Sequence, residues 1–229
     1  MWLMVAVAGL FVVAHLRISS TGVRKTLVDA LGERGYLGVF SLLAFATLGL
    51  LIWAYGEVPR HQYWWAMDPN LYLNPKLLMP VALVLAVGGF MVKNPTTVGM
   101  EATLADEAQR QRTIRGVNRI TRHPFQWGVI LWSTSHMAAN GDAVSVIFFA
   151  AFALLSGLGT VLMDKKKALT IGADWQPFAQ QTSNVPFAAV LAGRNRLVLR
   201  ELIAPVIAGL AVYGVVYWGH QWVSGVRIL

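Results

Sequence analysis

Three histidines in this chain could do chemistry, and their surroundings indicate what kind. The stretch ITRHPFQWGVILWSTSHMAANGD, from Ile120 to Asp142, sets His123 and His136 into a run otherwise written for a membrane. His15 closes another apolar run just ahead of Arg17. An imidazole in an apolar segment is costly unless something bonds its ring nitrogens, so it marks a functional site by default. Neutral imidazole is a common metal ligand, and two rings on separate helices can clamp a haem iron from both faces. The competing use is a plain hydrogen bond between helices. The other two histidines read as ordinary: His61 sits in a polar, aromatic-rich loop, and His220 lies near the end of the last apolar run.

Depth favours one pairing. His15 and His123 fall at the ends of apolar runs that face the same side. His136 is thirteen residues beyond His123, or about 20 Å along an ideal helix. On this ground alone His15 pairs with His123. The stretch from Glu101 to Arg119 predicts a surface helix, and Arg115, Arg119 and Arg122 recur three and four apart just before His123, the spacing of one helix face. Such a run is either a solvated charge face or an anion site, because guanidinium forks suit carboxylate and phosphate. Cysteine is absent, which excludes disulfides, thiolate metal sites and a cysteine nucleophile. No phosphate loop and no paired zinc-ligand spacing is present.

The elements that must position these residues are membrane helices. Hydrophobic residues make up 56% of the 229, charged residues only 13%, and the mean hydropathy is +0.54. A soluble domain of this size would need a far more polar surface. Apolar runs at about 1–16, 36–55, 77–93, 124–139, 143–163 and 198–222 predict an all-α, polytopic bundle of about six transmembrane helices in one domain over 1–229. The run at 1–16 has no basic n-region and no small-residue cleavage site, so it reads as a retained helix. Pro124 directly after His123 is a helix start signal.

Charge gives the orientation. With the amino terminus outside, sixteen basic residues fall on the inner side, and only Arg60, Lys76 and Arg227 fall on the outer side. That is a strong positive-inside bias, with both termini outside. It also explains the net charge of +8 as a topology signal and not a nucleic-acid footprint. Between the first two runs, Val23, Leu27, Val28 and Leu31 predict a short amphipathic surface helix, capped by Ser19, Ser20 or Thr21. Tyr63, Trp64, Trp65 and Tyr72 read as an aromatic belt at headgroup level.

Taken in order, AHLRISSTGVR, LGERGYLGVFSL, ITRHPFQWGVILWSTSHMAANGD, TSNVPFAAVLAGR and HQWVSG run nearly end to end. This ordered set resembles the NnrU family of bacterial membrane proteins and, more distantly, the zeta-carotene isomerases of plants. The resemblance implies a multi-pass protein of the bacterial inner membrane. For NnrU proteins it implies a link to denitrification and nitric oxide metabolism. For the isomerases it implies haem b with histidine axial ligands, and conversion of a cis double bond in a lipophilic carotenoid to trans. Carried over, those ligand positions are His15 in AHLRISS and His136 in STSHMAANGD, and the Arg-His-Pro histidine is His123. This pairing differs from the one that depth favours. The isomerases have cysteine three residues before the second ligand, where this chain has Ser133, so thiolate-based switching is not implied here. With a haem in place, Arg115, Arg119 and Arg122 would be its propionate partners.

A second likeness points to another class. RHPFQWG, a span, a polar stretch and TSNVPF look like the carboxy-terminal part of membrane isoprenylcysteine and phospholipid methyltransferases, where an Arg-His-Pro segment and an acidic pair hold S-adenosylmethionine. Here that acidic position reads Met163-Asp164-Lys165-Lys166-Lys167, without the second acid. The reading is therefore a haem b-binding membrane protein, with an isomerase of a lipophilic substrate as its most concrete activity. An S-adenosylmethionine-binding methyltransferase-like protein and a non-catalytic assembly or sensing partner stand as the other classes. The bilayer is the expected partner; nucleic acid is not. Nothing in the sequence reports the oligomeric state.

Overall fold

The computed structural model describes residues 1–97, 100–104 and 106–226. Arg227, counted above on the outer side, lies outside the described residues. Among the described residues the regular structure is helical, with one isolated bridge between Tyr63 and Asp142. The helices are α1 (Trp2–Ile18), α2 (Thr21–Glu57), α3 (Leu73–Met91), α4 (Glu107–Thr113), α5 (Pro124–Asn140), α6 (Ala143–Ile171), α7 (Trp175–Gln181), α8 (Ala188–Leu191) and α9 (Leu199–Ser224). Each apolar run read from the sequence is a helix, and α5 does begin at Pro124. Four segments are long and apolar enough to cross a membrane: Thr21–Glu57, Pro69–Met91, Ala143–Gln181 and Leu199–Ser224. α1 is a shorter apolar helix. The surface agrees with a bilayer setting. Leu42, Phe45, Phe90, Ile207, Val215 and Trp218 are all more than half exposed, and a monomer in water rarely presents that much apolar surface.

Packing divides the chain into two units, 1–74 with 133–159, and 75–132 with 160–229. In the first, α1 buries Met4, Val7, Ala8, Phe11 and Ile18, a stripe at helical spacing. The predicted amphipathic segment is the first part of α2. It is separated from the apolar part by a kink at Gly32, whose φ of 72° favours glycine. Val23, Leu27 and Val28 are half-buried there, but Leu31 is exposed. The expected cap works the other way round. Ser20 makes no side-chain cap on α2; instead Ser19 and Ser20 donate to the last carbonyls of α1, at His15 and Arg17, at 2.7 and 2.6 Å. The aromatic loop is tied to the Asn140-Gly141-Asp142 turn. Trp64 N donates to Gly141 O and Ala143 N to Gln62 O, both at 2.9 Å. Tyr63, Trp64 and Tyr72 are exposed as a belt requires. Trp65 departs from the belt, because its Nε1 donates to Ala138 O at 3.0 Å.

In the second unit, α3 and α9 approach closely. A Cβ on Gly209 would lie 2.5 Å from Val84 Cα and 2.7 Å from its nitrogen. Glycine lets two backbones meet, as at small-residue contacts in membranes. Gly209→Ala is therefore expected to lower stability by about 1–3 kcal/mol through overpacking. Gly214→Ala on the same helix meets nothing within 4 Å and should be neutral. Thermal unfolding of both variants in detergent checks this, and equal midpoints would contradict the close approach.

One prediction fails here. The continuous helix from Glu101 to Arg119 is instead a 3-10 turn at Glu101–Leu104, α4, and a second 3-10 turn at Gly116–Arg119. The chain breaks at Ile114, which ends α4, and at Gly116, whose φ is 56°. Asn118, fully buried, ties down the break by donating to Thr113 O and Lys93 O. Arg115, Arg119 and Arg122 therefore share no helix face.

Candidate functional site

Each unit holds one histidine-centred constellation. In the first, His15 is half-buried near the end of α1. Its Nδ1 lies 2.7 Å from Phe11 O. A carbonyl only accepts, so Nδ1 carries a proton, and the tautomer this bond selects in a neutral ring has its lone pair on Nε2. A backbone carbonyl that fixes the tautomer in this way is the usual support for a ligating imidazole. His136, also half-buried, lies on α5 with Nδ1 3.4 Å from Ser135 Oγ. Ser133, three residues earlier, is fully buried.

The two histidines are joined by aromatic rings. His15 packs on Phe11 at 4.5 Å between centroids, and Phe11 packs on Phe152 at 5.1 Å. Phe152–Phe148, Phe148–Phe149 and Phe149–His136 follow, each at 5.2 Å. Phe40 meets His15 edge-on at 6.1 Å. These rings are apolar and polarisable, and Phe11, Phe148 and Phe149 are buried within the series. Among the described residues no group of three or more histidine, cysteine, aspartate or glutamate side chains could hold a metal ion. A metal in this unit would need a macrocycle to fill its coordination.

The second constellation is polar and built around Asp164, on α6. Arg122 forms a two-pronged pair with it, Nε to Oδ1 at 2.9 Å and Nη2 to Oδ2 at 2.7 Å. His123 Nε2 lies 2.8 Å from Oδ1, and Asn184 Nδ2 3.3 Å from Oδ2. The remaining Arg122 nitrogen, Nη1, donates to Ala179 O and Thr182 O, and the guanidinium stacks over Trp175 at 5.8 Å. Backbone bonds hold two motif stretches together: Arg122 N to Ser183 O at 2.9 Å and Phe187 N to Ile120 O at 2.8 Å. Thr121 Oγ and Trp127 Nε1 both donate to Asn184 O. ITRHP and TSNVPF are thus two sides of one buried joint.

His123 is fully buried, and its Nδ1 has no hydrogen-bond partner among the described residues. Burial pushes the imidazole below its ordinary value, Arg122 acts the same way, and Asp164 opposes them. The ring is neutral near pH 7, donating from Nε2 to a carboxylate. Its protonated form would put an unpaired N–H in the interior.

The sequence-predicted residues are divided between the two units. His15 and His136 belong to the first unit, at the two ends of this series of rings. His123 and Arg122 belong to the second and are engaged by Asp164. Arg119 is also engaged, with Glu201 at 2.8 Å and Asn195 at 2.9 Å. Of the three arginines, only Arg115 forms no salt bridge among the described residues. The Arg122–His123 pair that suggested S-adenosylmethionine is spent on a protein carboxylate. Asp164 was legible as the acidic position of the methyltransferase-like likeness, but not as the centre of a joint, since Arg122 and His123 lie 42 and 41 residues before it and Asn184 lies 20 after it.

A helical membrane protein with one histidine pair in an aromatic setting and a separate Arg-His-Asp joint is the class this fold and these sites define. The chain belongs to the NnrU family: the family described as NnrU protein matches residues 3–228. It is similar to the 15-cis-zeta-carotene isomerase, chloroplastic, of Arabidopsis thaliana, 25% identical over 224 residues, covering 94% of this chain and 59% of that protein. It is also similar to the maize (Zea mays) protein of the same name, 30% identical over 111 residues, covering 47% of this chain and 30% of the relative. The chain thus spans less than two thirds of the length of these curated relatives. No solved structure matches it.

Proposed function

We propose that this protein is a membrane isomerase that converts a cis double bond of a carotenoid-like lipophile to trans, using haem b held by His15 and His136. One observation carries the reaction class: likeness to a 15-cis-zeta-carotene isomerase extends over 94% of the chain. The haem rests on the chemistry of the donors. In its neutral form His15 would offer an Nε2 lone pair, because Nδ1 donates its hydrogen bond to Phe11 O. His136 lies at the other end of the same aromatic series. When bound, the haem would supply a redox-active iron able to polarise or donate to a polyene. The protein's own part is to hold the two imidazoles, to exclude water with Phe11, Phe40, Phe148, Phe149 and Phe152, and to bind an apolar polyene against those rings. Cis–trans isomerisation neither gains nor loses an atom, so no leaving group has to be accommodated.

The test is an absorption spectrum of the detergent-purified protein, oxidised and then dithionite-reduced, followed by incubation of the reduced protein with 15-cis-zeta-carotene and separation of isomers. A Soret peak with sharp reduced α and β bands, and accumulation of the trans product, is the expected result. A protein that stays colourless after haem addition and leaves the isomer ratio unchanged would overturn the proposal.

A further inference from the structure

The second unit carries a cleft with a different chemistry. Four arginines (Arg112, Arg115, Arg119 and Arg200) line it with Gln111 and Glu201, around a volume of about 520 Å³. Glu201 is already committed. It takes Arg119 Nε at 2.8 Å and Nη2 at 3.3 Å, and accepts from Gly116 N at 2.8 Å. That leaves Arg112, Arg115 and Arg200, all exposed and none in a salt bridge among the described residues. With four arginines to one glutamate in its lining, the concavity keeps an excess of positive charge that attracts an anion, even though Asp106 and Glu201 act on Arg112 and Arg115 through space. The first turn of α9 adds its own partial positive charge.

A second cleft, of about 350 Å³, shares Arg112, Arg115 and Glu201 with the first. Its other walls are Met91 and Val92 at the end of α3, and Ala204 and Pro205 in the first turns of α9, with Lys93 at the edge. Helices α3 and α9 both belong to segments able to cross a membrane. Met91 is therefore the last helical residue of one such segment, and Leu199 the first of the other. A basic cleft beside the ends of two spans, continuous with an apolar wall, fits a molecule with a phosphate at one end and hydrocarbon at the other.

We infer that this compound cleft binds the headgroup phosphate of an anionic phospholipid, with Arg112, Arg115 and Arg200 holding the phosphate and Met91, Val92 and Pro205 lying along the first part of the acyl region. The inference does not depend on the isomerase reading. Basic pockets between membrane helices are suited to anionic headgroups, and the arginine fork bonds phosphate by two parallel contacts.

Native mass spectrometry of the full chain in detergent, titrated with phosphatidylglycerol or with phosphatidylcholine of the same acyl chains, tests it. The wild type is expected to retain one phosphatidylglycerol in preference to phosphatidylcholine. Arg200→Gln, at an exposed position, should weaken that retention about fivefold, one surface charge's worth. The combination Arg112→Gln, Arg115→Gln and Arg200→Gln should abolish the preference, whereas lysine at the same three positions should keep most of it. Equal retention of both lipids by the wild type, or equal phosphatidylglycerol retention by wild type and Arg200→Gln, would overturn the assignment. Displacement of phosphatidylglycerol by millimolar inorganic phosphate, with no dependence on acyl chains, would reassign the cleft to a soluble phosphate and overturn the lipid.

Discussion

Replacing Asp164 with alanine should produce the largest loss of stability of any single polar substitution in this protein. Its two carboxylate oxygens accept from Arg122 twice, from His123 and from Asn184. Arg122 and Asp164 are only 13% and 19% exposed, and His123 is fully buried. Removing one partner of such a pair leaves a guanidinium in the interior with part of its donor set unmet, and this typically costs about 3–5 kcal/mol. For a chain of this length that is a fall of roughly 6–20 °C in the thermal midpoint. Asp164→Asn keeps one acceptor oxygen and should fall in between. The double variant Arg122→Met with Asp164→Leu should recover much of the loss, since a buried ion pair is often no better than packed apolar groups. Intrinsic tryptophan fluorescence during heating reads the series, with Trp175 stacked on Arg122 as a natural reporter. Midpoints for Asp164→Ala within a degree or two of wild type would show that the joint does not hold the second unit together.

What the sequence made legible follows from the physics of each feature. The helices were readable because a run of apolar residues is a local property, and the bilayer imposes it on consecutive positions. Pro124 announced the start of α5 for an equally local reason. The Arg-His-Asp joint was not readable as a joint. Its bonds link residues 41 and 42 apart between Asp164 and the Arg122–His123 pair, and 57 to 63 apart between Arg122, Thr121 or Trp127 and the 179–184 stretch, and such pairing leaves no period in the sequence. The motif pieces ITRHPFQW and TSNVPF were both visible, but the backbone bonds between them were not. The arginine face failed because helical spacing was assumed across Gly116, where a positive φ and the buried Asn118 stop the helix. For the histidines, depth along straight helices paired His15 with His123. The bond of His123 to Asp164 and the ring contacts of His15 and His136 belong to tertiary packing, which no local pattern reports.

Substituting the histidines should separate ligand from scaffold. If His15 and His136 hold the haem, His15→Ala and His136→Ala each leave the iron with one protein ligand. The reduced α and β bands of a low-spin, doubly ligated haem should collapse in both, and haem content should fall towards zero in the double variant. His123→Ala should behave differently. It removes a neutral ring whose Nε2 is engaged by Asp164, so the haem spectrum should persist while the thermal midpoint drops. The loss of stability behind that drop is set by the donor lost to Asp164 and the cavity left by a fully buried ring, about 2–4 kcal/mol in all. A further substitution tests the tautomer argument. Phe11→Leu keeps the backbone carbonyl that fixes His15 Nδ1 but removes the ring packed on it at 4.5 Å. Haem should still bind, with a lowered affinity and a shifted reduction potential, because the ligand keeps its lone pair but loses part of its apolar wall. Full haem occupancy with unchanged bands in both His15→Ala and His136→Ala would exclude the pair as axial ligands. Loss of the bands in His123→Ala alone would move ligation to the second unit, and with it the expectation that Asp164 acts by positioning that imidazole.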